Sequence, residues 1–224
     1  MKIKGAIFDM DGTLVDSLMF WNIMWGEIGK VFLDNPNFKP SETVDKQVRT
    51  MILSDVADHI VKACNLPIDQ TAFLKFLRDR IEVFYRHDVK AKTGAVELLE
   101  ALKEKGIPLC LASASGMHDL KIALESCGLT DYFDVVLSCA DIGVGKDKPD
   151  IYKLALDRMG LSAEEVCVFE DSFVALETAE ALGCQTVGVF DQYNFEQERL
   201  KAASDIYVDE QDSLFSLIPQ ITRG

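Results

Sequence analysis

Ala6-Ile7-Phe8-Asp9-Met10-Asp11-Gly12-Thr13-Leu14-Val15-Asp16-Ser17 begins as an apolar run and ends in acids. The segment Gly5 to Phe8 carries no polar side chain and stops at Asp9, the pattern of a strand covered on both faces. Asp9, Asp11 and Asp16 then fall within eight residues. Carboxylates crowded in this way repel one another, and they are costly to keep ionised without a cation or hydrogen-bond donors between them. Asp9 and Asp11 stand two apart on extended backbone and start on the same side of the chain, before Gly12 allows a turn. A hard cation can sit between them.

The composition narrows the partners. At 224 residues, nearly half of them hydrophobic, the chain can bury a substantial core as one large domain or as a main domain with an insert. A formal net charge of -14 argues against a nucleic-acid backbone or an anionic membrane surface as partner. No apolar run approaches the length of a membrane span. Cys64, Cys110, Cys127, Cys139, Cys167 and Cys184 are widely spaced, with no CxxC pair, and read as reduced thiols in a cytoplasmic protein. Met1 to Gly5 runs straight into the strand and leaves no room for a signal peptide. Protein partners leave no readable pattern.

Past the opening strand, Asp16 and Ser17 are placed to cap a helix from Leu18 to Leu33, in which Trp21, Met24, Trp25, Ile28, Val31 and Phe32 recur at helical spacing. Core packing accounts for so aromatic a helix; the sharper alternative has Phe20 or Trp21 touching a substrate. Asp34-Asn35-Pro36-Asn37 is a turn, and helical patterns follow over roughly 42–64 and 68–87. Strand signals are absent throughout this region. From Thr93 the pattern alternates: helix 94–105, strand 107–112, helix 117–127, strand 134–138, helix 149–159, strand 166–170, helix 173–182, strand 185–190. Gly106, Gly128, Gly160 and Gly183 supply the helix stops. Residues 194–218 read as a further helix, a short edge strand near 206–208 and a terminal helical turn. The expected class is α/β, a Rossmann-like, mainly parallel sheet with helices on both faces. Residues 1–17 and 89–224 make this core domain, and 18–88 form a small all-helical domain inserted into it. Ligands of such sheets bind beyond the carboxyl ends of the strands, where Asp9, Ser113, Glu170 and Asp171 fall.

These residues carry a resemblance. Asp9-Met10-Asp11-Gly12-Thr13 is similar to the first signature of the haloacid dehalogenase superfamily. Ser113 in Leu111-Ala112-Ser113-Ala114-Ser115, Lys146 ahead of Pro149-Asp150, and Glu170-Asp171-Ser172 resemble the second, third and fourth. The resemblance spans essentially the whole chain. The helical insert is similar to the alpha-helical cap of the subfamily that contains beta-phosphoglucomutase and many sugar-phosphate phosphatases. Asp147 stands where the family pattern has a proline, and counting back from Pro149-Asp150 selects Lys146 over Lys148 as the phosphate lysine.

The resemblance implies an enzyme in which Asp9 is the nucleophile and forms an aspartyl phosphate, while Asp11 moves protons to and from the reacting oxygens. It implies Mg2+ held by Asp9, the Asp11 main-chain carbonyl, Asp171 and Glu170, the last directly or through water. Ser113 would donate to a phosphoryl oxygen, and Lys146 would neutralise charge on the phosphate and the nucleophile. Ser115 and His118 are further candidates for lining the substrate pocket; His59 and His87 are assigned no role.

The expected reaction is hydrolysis of a small phosphorylated metabolite, a sugar phosphate. The alternative is a mutase of the beta-phosphoglucomutase type, which the Ser113-Ala114-Ser115 run resembles. The mutase also carries a Gly-Val-Ser-Arg segment and a histidine in its first cap helix. Around Ile52-Leu53-Ser54-Asp55 no arginine corresponds, and Trp21 stands at the histidine position. A phospho-accepting signalling domain also groups acids and a lysine at strand ends, but at about half this length and without a helical insert. Dehalogenases of the superfamily lack the second acid, which here is Asp11.

Overall fold

The computed structural model describes residues 1–49, 51 and 53–221. The chain divides into two compact units, residues 1–17 with 89–224, and residues 18–88. In the first, β1 (Gly5–Phe8) precedes the helical unit. After it come α5 (Ala95–Glu104), β2 (Leu109–Ser113), α6 (Met117–Ser126), β3 (Val135–Ser138), the short α7 (Cys139–Ile142) and α8 (Asp150–Met159). β4 (Val166–Glu170), α9 (Phe173–Ala181), β5 (Gln185–Val189), α10 (Gln197–Ala203), β6 (Ile206–Val208) and α11 (Ile218–Ile221) complete the unit. The second unit holds α1 (Phe20–Phe32), α2 (Glu42–Val48), α3 (Leu53–Ala63) and α4 (Gln70–His87).

All six strands pair in parallel, in the order β3-β2-β1-β4-β5-β6. Parallel neighbours cannot be joined by a tight turn, so helical crossovers link them and cover the sheet. β1, β2 and β4 are buried at every residue. Their side chains alternate between two packed faces. Ile7, Cys110, Ala112, Val166 and Val168 meet Ile151, Tyr152 and Ala155 of α8. On the opposite face of β1 and β4, the Phe8 and Phe169 rings stack at 4.1 Å. The helix stops at Gly106, Gly128, Gly160 and Gly183 have φ between 67° and 92°, a conformation that a side chain would oppose.

The winding places the ligand end. β2 and β3 are laid to one side of β1, after which the chain returns and lays β4, β5 and β6 on the other. The reversal opens a crevice between the loops that leave β1 and β4, the usual ligand position in such sheets.

The helical unit is built differently. Met24, Trp25, Ile28, Val56, Ala57, Ile60, Phe73 and Leu77 form its buried centre. Gly29 has a steric reason to be glycine: a Cβ there would lie 2.1 Å from the Asn35 carbonyl oxygen. Trp25 Nε1 donates to Asp45 at 2.5 Å, and Arg49 reaches the same carboxylate, the Leu18 carbonyl and Asn22. Phe20 packs on Trp21 and Phe84, and Trp21 on Trp25. Within the expected helix 42–64 the structure describes two helices, α2 and α3. Thr50 and Ile52 lie outside the described residues, as does the Ile52 part of the segment compared with the mutase.

The expected helix cap at Asp16 and Ser17 is not formed. Met19 occupies the N-cap of α1 and makes no side-chain cap bond. Ser17 donates instead to Asp11, and Asp16 lies 3.4 Å from Lys92 Nζ. Both side chains have stronger charged or hydrogen-bonding partners than the orphan N–H groups of the helix.

Candidate active site

β1 delivers Asp9 to the crevice. The Asp9 N–H donates to the Phe169 carbonyl at 3.0 Å, extending the ladder to β4 by one residue, and the side chain is buried. The chain then folds back sharply. Leu14 and Val15 N–H donate to the Met10 carbonyl at 2.9 and 3.1 Å, with Gly12 at φ 84° inside the turn. Two further backbone bonds, Asp16 N to Lys90 O and Lys92 N to Leu14 O, bind the exit of this turn to the returning chain.

Glu170 ends β4 and Asp171 follows it, so the ladder that fixes Asp9 also fixes them. Oxygens of Asp9, Glu170 and Asp171 all lie within 4.8 Å of one another, and all three residues are buried. Lys146, from the segment before α8, binds Asp9 Oδ1 and also donates to Glu170 Oε1 at 2.6 Å. The Tyr152 hydroxyl of α8 donates to the same Glu170 oxygen at 3.0 Å. Lys148 is 63% exposed and pairs only loosely, at 3.6 Å, with Asp147.

Three acids and one ammonium in a buried space leave excess negative charge. Burial pushes the Asp9 carboxyl well above its ordinary range; Lys146 pulls it down, and Glu170, Asp171 and Asp11 push it further up. Asp171 is pushed up to about 7, first by burial and then by Glu170, against the Asn194 hydrogen bond. Burial disfavours the Lys146 ammonium, but the Asp9 and Glu170 carboxylates outweigh it and hold the group charged above its usual range.

Two serines hold the Asp11 carboxylate. Its Oδ1 accepts from the Ser17 hydroxyl at 2.6 Å and its Oδ2 from the Ser115 hydroxyl at 2.7 Å. The acids whose oxygens group with the Asp9 carboxylate are Glu170, at the end of β4, and Asp171, just after it. Ser113 ends β2 almost fully buried, and its hydroxyl oxygen accepts from the Ser115 N–H at 3.1 Å. Ser138, the last residue of β3, donates to the Ser115 carbonyl at 2.8 Å. Consecutive strand ends thus hold the Ser113 to Ser115 turn.

Residues 3–183 match the protein-family model described as haloacid dehalogenase-like hydrolase. The chain belongs to that family. Its curated relatives include a phosphorylated carbohydrates phosphatase of Thermotoga maritima, 26% identical over 95% of this chain and 97% of the relative. Hexitol phosphatase A of Escherichia coli is 27% identical over 84% of each chain. The solved structure of CbbY from Rhodobacter sphaeroides in complex with phosphate superposes with a TM-score of 0.78 at 19% identity, covering 96% of each chain, a likeness of fold.

In this haloacid dehalogenase-like hydrolase, the structure brings Asp9, Lys146, Glu170 and Asp171 together. Ser115 links Asp11 and Ser113 to each other. Other side chains contact these residues without any marker in the sequence. Ser17 has the character of a helix cap, and Tyr152 looks like one more apolar position on α8. Ser138 is an ordinary strand-end serine. Asn194 sits in a polar loop with no pattern around it, yet its Nδ2 donates to Asp171 Oδ2 at 3.1 Å. Ser115, singled out as a pocket candidate, bonds to the Asp11 carboxylate. Among the described residues no helix is long and apolar enough to cross a membrane.

Proposed function

We propose that this hydrolase is a Mg2+-dependent phosphatase that hydrolyses a small phosphorylated metabolite, a sugar phosphate, through an aspartyl phosphate on Asp9. The observation that carries the reading is the buried trio of Asp9, Glu170 and Asp171 at the sheet's reversal point, with Lys146 bound to the Asp9 oxygen. The donor set fits the metal: its ligand atoms are carboxylate oxygens, the preference of a hard divalent cation, and the excess negative charge favours one. Asp9, Asp171, Glu170 and the Asp11 main-chain carbonyl would hold Mg2+, which when bound neutralises charge on the phosphoryl oxygens.

In this reading the chain's own groups perform the transfer. An Asp9 oxygen attacks phosphorus, the ester P–O bond breaks, and Asp11 gives its proton to the departing alkoxide. Water then attacks the aspartyl phosphate while Asp11 takes back a proton, releasing inorganic phosphate and restoring Asp9. The Ser17 and Ser115 hydroxyls can donate or accept by rotating, so the same pair can hold Asp11 in either protonation state. Lys146 and the Ser113 hydroxyl would bind phosphoryl oxygens. The names of the two curated relatives, one a phosphorylated carbohydrates phosphatase and the other a hexitol phosphatase, support the substrate class.

The test is incubation with Mg2+ and a panel of phosphomonoesters weighted toward sugar phosphates. Phosphate release that Asp9→Asn abolishes is the expected result. No release from any ester, with Asp9→Asn indistinguishable from the parent, overturns the reading. Conversion of beta-glucose 1-phosphate to glucose 6-phosphate without free phosphate, given a trace of the 1,6-bisphosphate, would make it a mutase.

A further inference from the structure

Asp171 is gripped by a residue that the proposed chemistry does not use. Asn194, in the loop between β5 and α10, donates from Nδ2 to the Asp171 carbonyl at 2.5 Å and to its Oδ2 at 3.1 Å. One amide therefore holds both the main chain and the carboxylate. The contact from Thr13 Oγ1 to Asp171 Oδ1 is longer, 3.4 Å.

The loop behind Asn194 is itself built to stay in place. Asn194 Oδ1 accepts from Glu196 N at 3.1 Å, and Asn194 N donates to Asp191 O at 3.0 Å, so the residue closes two turns. Buried Asp191 accepts from Tyr193 N at 2.9 Å and from Lys92 Nζ at 2.9 Å. Lys92 Nζ also donates to the Phe190 carbonyl at 3.0 Å, and Gln197 Nε2 to the Asp191 carbonyl at 2.6 Å. Through Lys92 the loop is tied to Asp16, and hence to the turn that carries Asp9 and Asp11.

Asp171 stands among like charges that would rotate its carboxylate away. A donor on one oxygen sets the rotation and leaves the remaining lone pairs for a cation, the service that outer hydrogen bonds give to metal-binding carboxylates. We propose that Asn194 is a positioning residue that orients Asp171 for a divalent cation. This rests on the Mg2+ reading above.

Calorimetric titration of the full chain with Mg2+ tests it, using the parent, Asn194→Ala and Asn194→Ser. Serine keeps a side-chain oxygen able to accept from Glu196 N but loses the amide that reaches Asp171. Both variants are expected to bind Mg2+ about tenfold or more weakly. Affinities of both variants within about threefold of the parent overturn the proposal. So does parental affinity in Asn194→Ser alone, because the residue would then serve only its turn. A parent that binds no Mg2+ and hydrolyses phosphomonoesters unaffected by a chelator sinks the metal reading itself, and this inference with it.

Discussion

The two ends of the parallel sheet use carboxylates in opposite ways. At the amino ends of the strands each acid has a donor of its own. Asp134 accepts from the first N–H of β2 at 3.0 Å, and Asp205 from the N–H and hydroxyl of Thr186 in β5 at 2.8 and 3.2 Å. Glu165 pairs with Lys4 at 2.5 Å near the surface. At the carboxyl ends, Asp9 and Glu170 share Lys146, and Asp171 crowds against both. The first arrangement completes hydrogen bonds and stabilises the fold. The second keeps like charges together in a buried place, at a cost that the single Lys146 ammonium offsets only in part.

The sharpest way to break the contrast is to remove Asp9. Asp9→Asn is expected to lower kcat for phosphomonoester hydrolysis by roughly 10⁴-fold or more, as loss of a nucleophile does. Its thermal midpoint should not fall, since one of several repelling charges is gone. A variant with parental turnover would mean that the acids at this end are not catalytic.

Lys146→Met attacks the same end from the other side. It leaves Asp9 and Glu170 without the ammonium that now binds both, and breaking a buried pair in this way costs about 3–5 kcal/mol. Chemical unfolding at pH 8 without metal should show that loss, and at pH 5.5 a smaller one, because Asp171, pushed up to about 7, then takes up a proton and repels its neighbours less. An equal loss at both pH values would remove charge repulsion as the explanation.

The raised carboxyls give the next effect. A folded-state acid whose pKa is above its unfolded value stabilises the fold below the unfolded pKa, and loses that contribution as pH rises through the folded pKa. For Asp171 the window runs from about 4 to about 7, and Asp9 shifts in the same direction. Under the proposed function, Mg2+ held by the ionised acids would reverse the penalty, so the rise in thermal midpoint on adding Mg2+ should grow between pH 6 and pH 8, by roughly 5 °C. A gain that is flat or shrinks with pH would contradict the assignment of these acids as ligands.

What could be read in advance follows from the range of the forces involved. Fully apolar runs of strand length, helices stopped by glycine and acids at strand ends are local, so the parallel sheet and Asp9, Glu170 and Asp171 stood out in the sequence. Asn194, Tyr152 and Ser138 act through contacts made only once distant segments meet, and nothing near them in the chain marks them. Asp16 and Ser17 show local reasoning misled. Both are good cap residues, but Lys92 and Asp11 offered stronger partners than a helix end.

The smallest effects belong to the amino ends, and their smallness is the point. Thr186 is fully buried, and Asp205 accepts from both its N–H and its hydroxyl. Asp205→Ala strands those donors and should cost about 1–2 kcal/mol of unfolding free energy, with kcat/KM unchanged. Lys4 is exposed and Glu165 half-buried at the surface, so Lys4→Ala should leave the unfolding midpoint where it was at about 0.15 M salt. Together the two variants separate a carboxylate that satisfies the sheet from a surface pair that merely decorates it. If either lowered kcat/KM about tenfold while leaving the fold intact, the division of labour between the two ends would be wrong, because stability and chemistry would then share residues across the full length of the strands.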